Sequence, residues 1–75
     1  MDGSEIRERA LEVLLQHIEE ETFPSATMMG RVEAELRTPE QKLAYAQVLL
    51  EKIESTRYPS IPMLNRLEAV LATVA

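Results

Sequence analysis

The sequence predicts an all-α fold of four short helices, built as a tandem repeat of two helical hairpins. Strong helix formers dominate the 75-residue chain, which contains only two glycines. Apolar residues recur at helical spacing along most of its length. A sequence similar to the segment that ends at Leu36 also recurs about 35 residues later in the chain.

The repeat aligns residues 13–36 with residues 48–71 without a gap, and twelve of the 24 pairs are identical. The identical residues of the first copy are Val13, Leu14, Leu15, Ile18, Glu19, Pro24, Ser25, Met28, Arg31, Glu33, Ala34 and Leu36. A single hairpin cannot bury its own apolar face. We therefore expect two hairpins that cover each other in a compact bundle with approximate two-fold symmetry.

The first helix is expected over residues 4–21, with Ser4 as its N-cap and Glu5 in the first turn, where a carboxylate suits the helix dipole. Its apolar residues recur at helical spacing, which predicts one inward face. They are Leu11, Leu14, Leu15 and Ile18.

The second helix is expected over residues 25–37. Pro24 disfavours a helical conformation at Phe23, so the first helix must end before it, and Ser25 is a suitable N-cap for the next. We expect Phe23 and its counterpart Tyr58 to fold back over the loop ends of their hairpins.

The third and fourth helices are expected over residues 39–55 and 60–74. Thr38 is an N-cap, Pro39 occupies the first helical position, and Gln41 completes a capping box. Ser60 is the N-cap of the fourth helix, whose first turn tolerates Pro62.

The length predicts a single helical domain over residues 1–75, with repeat units at about residues 4–37 and 39–74. So short a chain has a marginal core, and it has no cysteine to form a disulfide. Gly30 corresponds to Asn65, and both residue types disfavour a helix interior. Either a neighbouring helix passes close to Gly30 or the helix is locally irregular there, and we favour the close approach.

The residues indicate no catalytic, cofactor or metal site, so the protein is expected not to be an enzyme. His17 is the only histidine and is expected at a solvated helix edge, with no companion donors for a metal. The acidic run of residues 19–21 lacks the alternation and glycine of a calcium loop. It is expected to be a solvated helix end.

Three charged positions carry the same residue in both copies, which suggests a constraint on these residues. They form the pairs Arg31 with Arg66, Glu33 with Glu68, and Glu19 with Glu54. Structural ion pairs, contacts to a partner and the history of a duplication all remain open as explanations. Exposed ion pairs of this kind contribute about 0–1 kcal/mol each.

The C-terminal residues 69–75 carry no charge. Either the fourth helix is the most buried of the four, or it forms a dimer interface or docking surface. The residues predicted for such a partner or dimer surface are Met28, Met29, Met63, Val70 and Val74.

These features favour a small non-catalytic interaction module, such as an adaptor, regulatory protein or accessory subunit, that binds another protein or itself as a homodimer. The alternative is a helix-turn-helix-like DNA-binding protein that reads bases with Asn65 and Arg66. The net charge of −5 and the neighbouring Glu68 disfavour nucleic acid as a partner. With no apolar span and no signal peptide, we expect a cytoplasmic protein without membrane contact.

Overall fold

The computed structural model describes residues 2–56 and 60–74. It contains α1 (Gly3–Glu20), α2 (Ala26–Glu35), α3 (Pro39–Ser55) and α4 (Ile61–Ala72). These helices are the only regular secondary structure in the two described ranges. The predicted all-α class is confirmed, and no helix end departs from its predicted position by more than two residues.

The chain divides into two compact units, Met1–Glu35 and Leu36–Ala75. In the first unit α1 packs against α2, and in the second unit α3 packs against α4. Lys42 near the start of α3 donates from Nζ to the carbonyl oxygen of Thr73, just beyond α4, at 3.5 Å. The two helices of the second unit are therefore antiparallel.

The N-terminus of α1 is capped by Asp2. Its Oδ1 accepts a hydrogen bond of 2.9 Å from the backbone N–H of Glu5. The prediction that Ser4 is the cap is wrong, because Ser4 lies inside the first turn. Both residue types cap well, but the Asp2 carboxylate also interacts favourably with the positive end of the helix dipole.

The predicted capping box at the start of α3 is confirmed. Thr38 Oγ1 accepts from the Gln41 backbone N–H at 3.1 Å, and Gln41 Oε1 accepts from the Thr38 N–H at 3.2 Å. Pro39 occupies the first turn, where its missing N–H has no partner to lose. The start of α3 is therefore fixed by interactions among residues that are close in sequence.

Serine side chains cap the other two helices as predicted. Ser25 Oγ accepts from the Met28 N–H at 3.1 Å, and Ser60 Oγ accepts from the Met63 N–H at 3.3 Å. Pro62 lies in the first turn of α4, as expected.

Helices α2 and α4 each end two residues before their predicted ends. After α2, the N–H groups of Arg37 and Thr38 both donate to Gln41 Oε1, at 2.9 and 3.2 Å, instead of to helix carbonyls. After α4, the Thr73 hydroxyl donates to the carbonyl oxygen of Val70 at 2.7 Å. Both early ends thus follow from side-chain hydrogen bonds that compete with the helical pattern.

Each unit has its own set of buried apolar side chains, on the inward stripes of its helices. In the first unit they are Leu11, Ile18, Met29 and Val32. In the second unit they are Tyr45, Ala46, Leu49, Leu67 and Val70. Their spacing along each helix agrees with the periodicity of the sequence.

Two expectations about packing are wrong. Phe23 does not fold back over the loop: 81% of its surface is exposed, and the neighbouring Pro24 is buried instead. The related expectation for Tyr58 lies outside the described residues. The close approach expected at Gly30 is not observed among the described residues of the first unit either, because a Cβ at that position would have no heavy atom within 4 Å. α2 buries Met29 and Val32, which lie on either side of it.

Candidate functional site

The predicted partner surface is only partly accessible. Met29 and Val70 are 6% and 8% exposed, so they belong to the core and cannot contact a partner on this surface. Met28, Met63 and Val74 are half-buried. The correction follows from helical periodicity, since Met29 shares a face with buried Val32.

Within residues 69–74 of the uncharged C-terminal segment, one residue is buried between exposed ones. Val70 faces the core, whereas Ala69, Leu71 and Ala72 are exposed, Leu71 by 44%. At the other end of α4, Ile61 is 63% exposed. This helix therefore presents apolar surface to solvent over much of its length.

The repeated charged residues fall into two groups by exposure. Glu33 and Arg66 are half-buried. The exposed members are Glu19, Arg31, Glu54 and Glu68. Burial therefore differs between the two copies at the pair Arg31 and Arg66 and at the pair Glu33 and Glu68. The copies do not use these charges identically. The structural ion-pair role stays a prediction.

The polar residues considered for chemistry are exposed at the C-terminal end of α1. His17 is exposed near the end of α1, and the acidic residues 19–21 beside it are exposed as well. Within residues 2–56 and 60–74, no three His, Cys, Asp or Glu side chains are arranged to hold a metal ion. In the same part of the chain, none of the helices has the length and apolar character needed to cross a membrane.

Several large apolar side chains of the described residues are exposed on the surface. Each has at least 44% of its surface exposed. They are Ile6, Val13, Phe23, Leu43, Leu50, Ile61 and Leu71. A small soluble domain normally exposes such residues singly, whereas here they recur on three of the four helices and in the first loop.

Part of this surface lies on one side of α1. An open groove of about 540 Å³ is lined by Ile6, Arg9, Ala10, Val13 and Leu14, and nearly all of the lining is apolar. These residues are three or four positions apart, so they share one side of the helix. This side adjoins the buried positions of α1, because half-buried Leu14 lies three positions from Leu11 and four from Ile18. The apolar surface of the helix is therefore wider than its buried stripe.

Sequence reasoning missed Ile6, Leu43 and Leu50 as surface residues. A signal was present, because Ile6, Ala10 and Val13 repeat at helical spacing beside the Leu11 stripe. Periodicity alone does not show which of two adjacent apolar stripes is covered.

Comparison with known proteins adds no relative. No protein-family model, curated protein or solved structure matches this chain. The function must therefore be argued from the surface itself.

Proposed function

We propose that this protein is a small non-catalytic interaction module, an adaptor, regulatory protein or accessory subunit that acts in the cytoplasm by binding another protein or a second copy of itself. Its binding mode is the packing of an exposed helix face against a partner helix or groove.

One observation carries this proposal: among residues 2–56 and 60–74, seven large apolar side chains are at least 44% exposed. Removing apolar surface from water contributes about 25 cal/mol per Å². Several such residues on one face can therefore drive association, and contiguous exposed apolar surface marks interaction sites.

We also propose that the two units are the halves of a tandem hairpin repeat, packed as a pseudo-two-fold bundle. The unit boundary after Glu35 falls close to the predicted end of the first repeat. Ser25 and Ser60, which are equivalent in the alignment, both cap the helix that follows them. Val32 and Leu67, also equivalent, are both buried.

The DNA-binding alternative has less support from the surface of α4. Asn65 is exposed, but Arg66 is half-buried, and exposed Glu68 would repel a phosphate backbone. A fluorescence anisotropy titration with duplex DNA at low salt separates the two proposals. Binding that weakens steeply with added salt would favour DNA recognition.

The interaction proposal is tested by affinity capture, in which the tagged protein is the bait and an extract of its native cells supplies the partners. The copy of the protein expressed in those cells carries a different tag, so that binding of a second copy can be recognised. The first variant combines Ile6→Lys with Val13→Lys, and the second combines Leu43→Lys with Leu50→Lys. Each adds two charges to exposed apolar positions. The matched control places the same charges at exposed polar positions, as Thr27→Lys with Asn65→Lys.

We expect a protein that is retained by the wild type and the control but lost by at least one apolar variant. Its purified form should then bind the wild type about tenfold or more tightly than that variant, by calorimetry. Circular dichroism confirms that every variant keeps its helices. The proposal would be refuted if the wild type retained no protein beyond the background of empty beads. It would also be refuted if the wild type and all variants retained the same proteins equally.

A further inference from the structure

Five exposed residues lie along one line of α1, and exposed Phe23 follows three positions after the last of them, beyond the end of the helix. We name these six residues the α1 seam. All six are exposed, and they recur at alternating spacings of three and four residues. They are Ile6, Arg9, Val13, Gln16, Glu20 and Phe23. Gln16 Nε2 donates to Glu20 Oε1 at 3.3 Å, which places these two side chains on the same face. Alternating three- and four-residue spacing is the pattern by which two helices pack along a shared line.

The seam has opposite chemistry at its two ends. Its N-terminal half holds the apolar groove with Arg9 at its edge. Its C-terminal end holds Phe23, the most exposed large apolar side chain of the described residues, which follows the exposed Glu20 and Glu21 in the chain. One end thus offers a groove with a cation, and the other offers an aromatic ring with anions.

We propose that the α1 seam binds the α1 seam of a second copy in an antiparallel, two-fold symmetric pair. The spacing from Ile6 to Glu20 equals the spacing from Arg9 to Phe23. One register therefore sets Arg9 opposite Glu20 of the second copy. It also brings Ile6 to the end of the second copy's α1, where Phe23 follows the last helical residue by three positions. Val13 then lies opposite Gln16 of the second copy, at the middle of the contact.

Charge complementarity favours a second copy as the occupant. The net charge of −5 repels two copies at long range. The antiparallel register nevertheless places a cation against an anion, and two-fold symmetry forms this Arg9–Glu20 pair twice. Both Phe23 rings enter grooves in the same arrangement, and Arg9 can lie against the aromatic face. The contact is self-complementary, so it closes at a dimer.

The dimer rests on the proposed function, because it names the partner of an interaction module. Only a few apolar side chains enter the contact, so the interface belongs to the small class and its affinity is weak, in the micromolar range. Helix α1 keeps its buried stripe of Leu11 and Ile18 in this arrangement. Dimerisation therefore needs no unfolding of the first unit.

The test is analytical ultracentrifugation of the full chain at concentrations from about 5 to about 500 µM, which bracket a micromolar dissociation constant. We expect a reversible monomer–dimer equilibrium for the wild type. Phe23→Ala should raise the dissociation constant about tenfold or more. Arg9→Glu and Glu20→Arg should each weaken the dimer, because each places like charges opposite one another twice.

Combining Arg9→Glu with Glu20→Arg restores opposite charges across the interface and should restore most of the wild-type affinity. Arg31→Glu makes the same charge change at an exposed position of α2, and Ile61→Ala removes an exposed apolar side chain from the second unit. Both controls should leave the dissociation constant unchanged. Circular dichroism verifies that the variants remain helical.

A monomer throughout the concentration range would overturn the second-copy proposal. The proposal would also be overturned by a dimer whose dissociation constant is unchanged by Phe23→Ala, or by one whose affinity the double charge change does not restore. If such a monomer still binds a different protein through its exposed apolar residues, the interaction function stands without the dimer. If it binds nothing, both proposals fall.

Discussion

Replacing Gly30 with alanine should stabilise the protein. Gly30 lies in the middle of α2, it does not have a positive φ, and an added Cβ would meet no heavy atom within 4 Å. The substitution therefore brings no clash and no backbone strain. It removes the conformational freedom that glycine has in the unfolded chain.

The size of the effect follows from helix propensity. Glycine is less favourable than alanine inside a helix by about 0.8–1 kcal/mol. For a domain of this size each 1 kcal/mol shifts the melting temperature by about 4–8 °C, so Gly30→Ala should raise it by about 3–8 °C. Thermal unfolding followed by circular dichroism measures this shift, and urea titration measures the accompanying free energy of unfolding.

Gly3→Ala is the matched control, since Gly3 also has open space around it but is the first residue of α1, where fewer backbone groups are fixed. We expect it to change the stability by less than about 0.5 kcal/mol. If Gly30→Ala leaves the protein unchanged or less stable while Gly3→Ala is neutral, then a neighbouring group does approach Gly30 in solution. That result would refute the conclusion that the space around Gly30 is open.

Three further predictions concern the cap and the core, and urea unfolding measures each of them. Thr38→Ala removes the Oγ1 acceptor of the capping box and should cost about 1 kcal/mol; no loss would show that α3 does not depend on its cap. Ile18→Ala should cost about 2–5 kcal/mol because Ile18 is fully buried, whereas Val13→Ala should stay within about 0.5 kcal/mol; equal effects would contradict the assigned inward face. Val70→Glu should unfold much of the protein because Val70 is buried, and Leu71→Glu should be tolerated because Leu71 is exposed. A larger loss of stability for Leu71→Glu than for Val70→Glu would contradict this assignment of burial.

Features set by residues close in sequence could be predicted. The start of α3 depends on Thr38, Pro39 and Gln41, all within one turn of the chain, and it is observed where it was expected. Ser25 and Ser60 likewise cap the helices that follow them. Where two candidate caps lie close together, as Asp2 and Ser4 do, the chain alone does not decide between them.

Features that depend on what covers a side chain could not be predicted. Met28 and Met29 are the same residue type at adjacent positions, but only Met29 is buried. Phe23 and Pro24 are both apolar, and the larger of the two is the exposed one. The α1 seam was missed for the same reason, because its apolar residues continue a stripe whose other half is buried.

The packing of each helix against its neighbour in the chain has a consequence for how fast the protein folds. Within each unit, the helices that touch are separated only by a short connection, α1 from α2 and α3 from α4. Their contacts form without closing long loops, and proteins dominated by such contacts fold in microseconds to milliseconds. Each helix pair should therefore assemble soon after its chain leaves the ribosome, with its exposed apolar face already displayed.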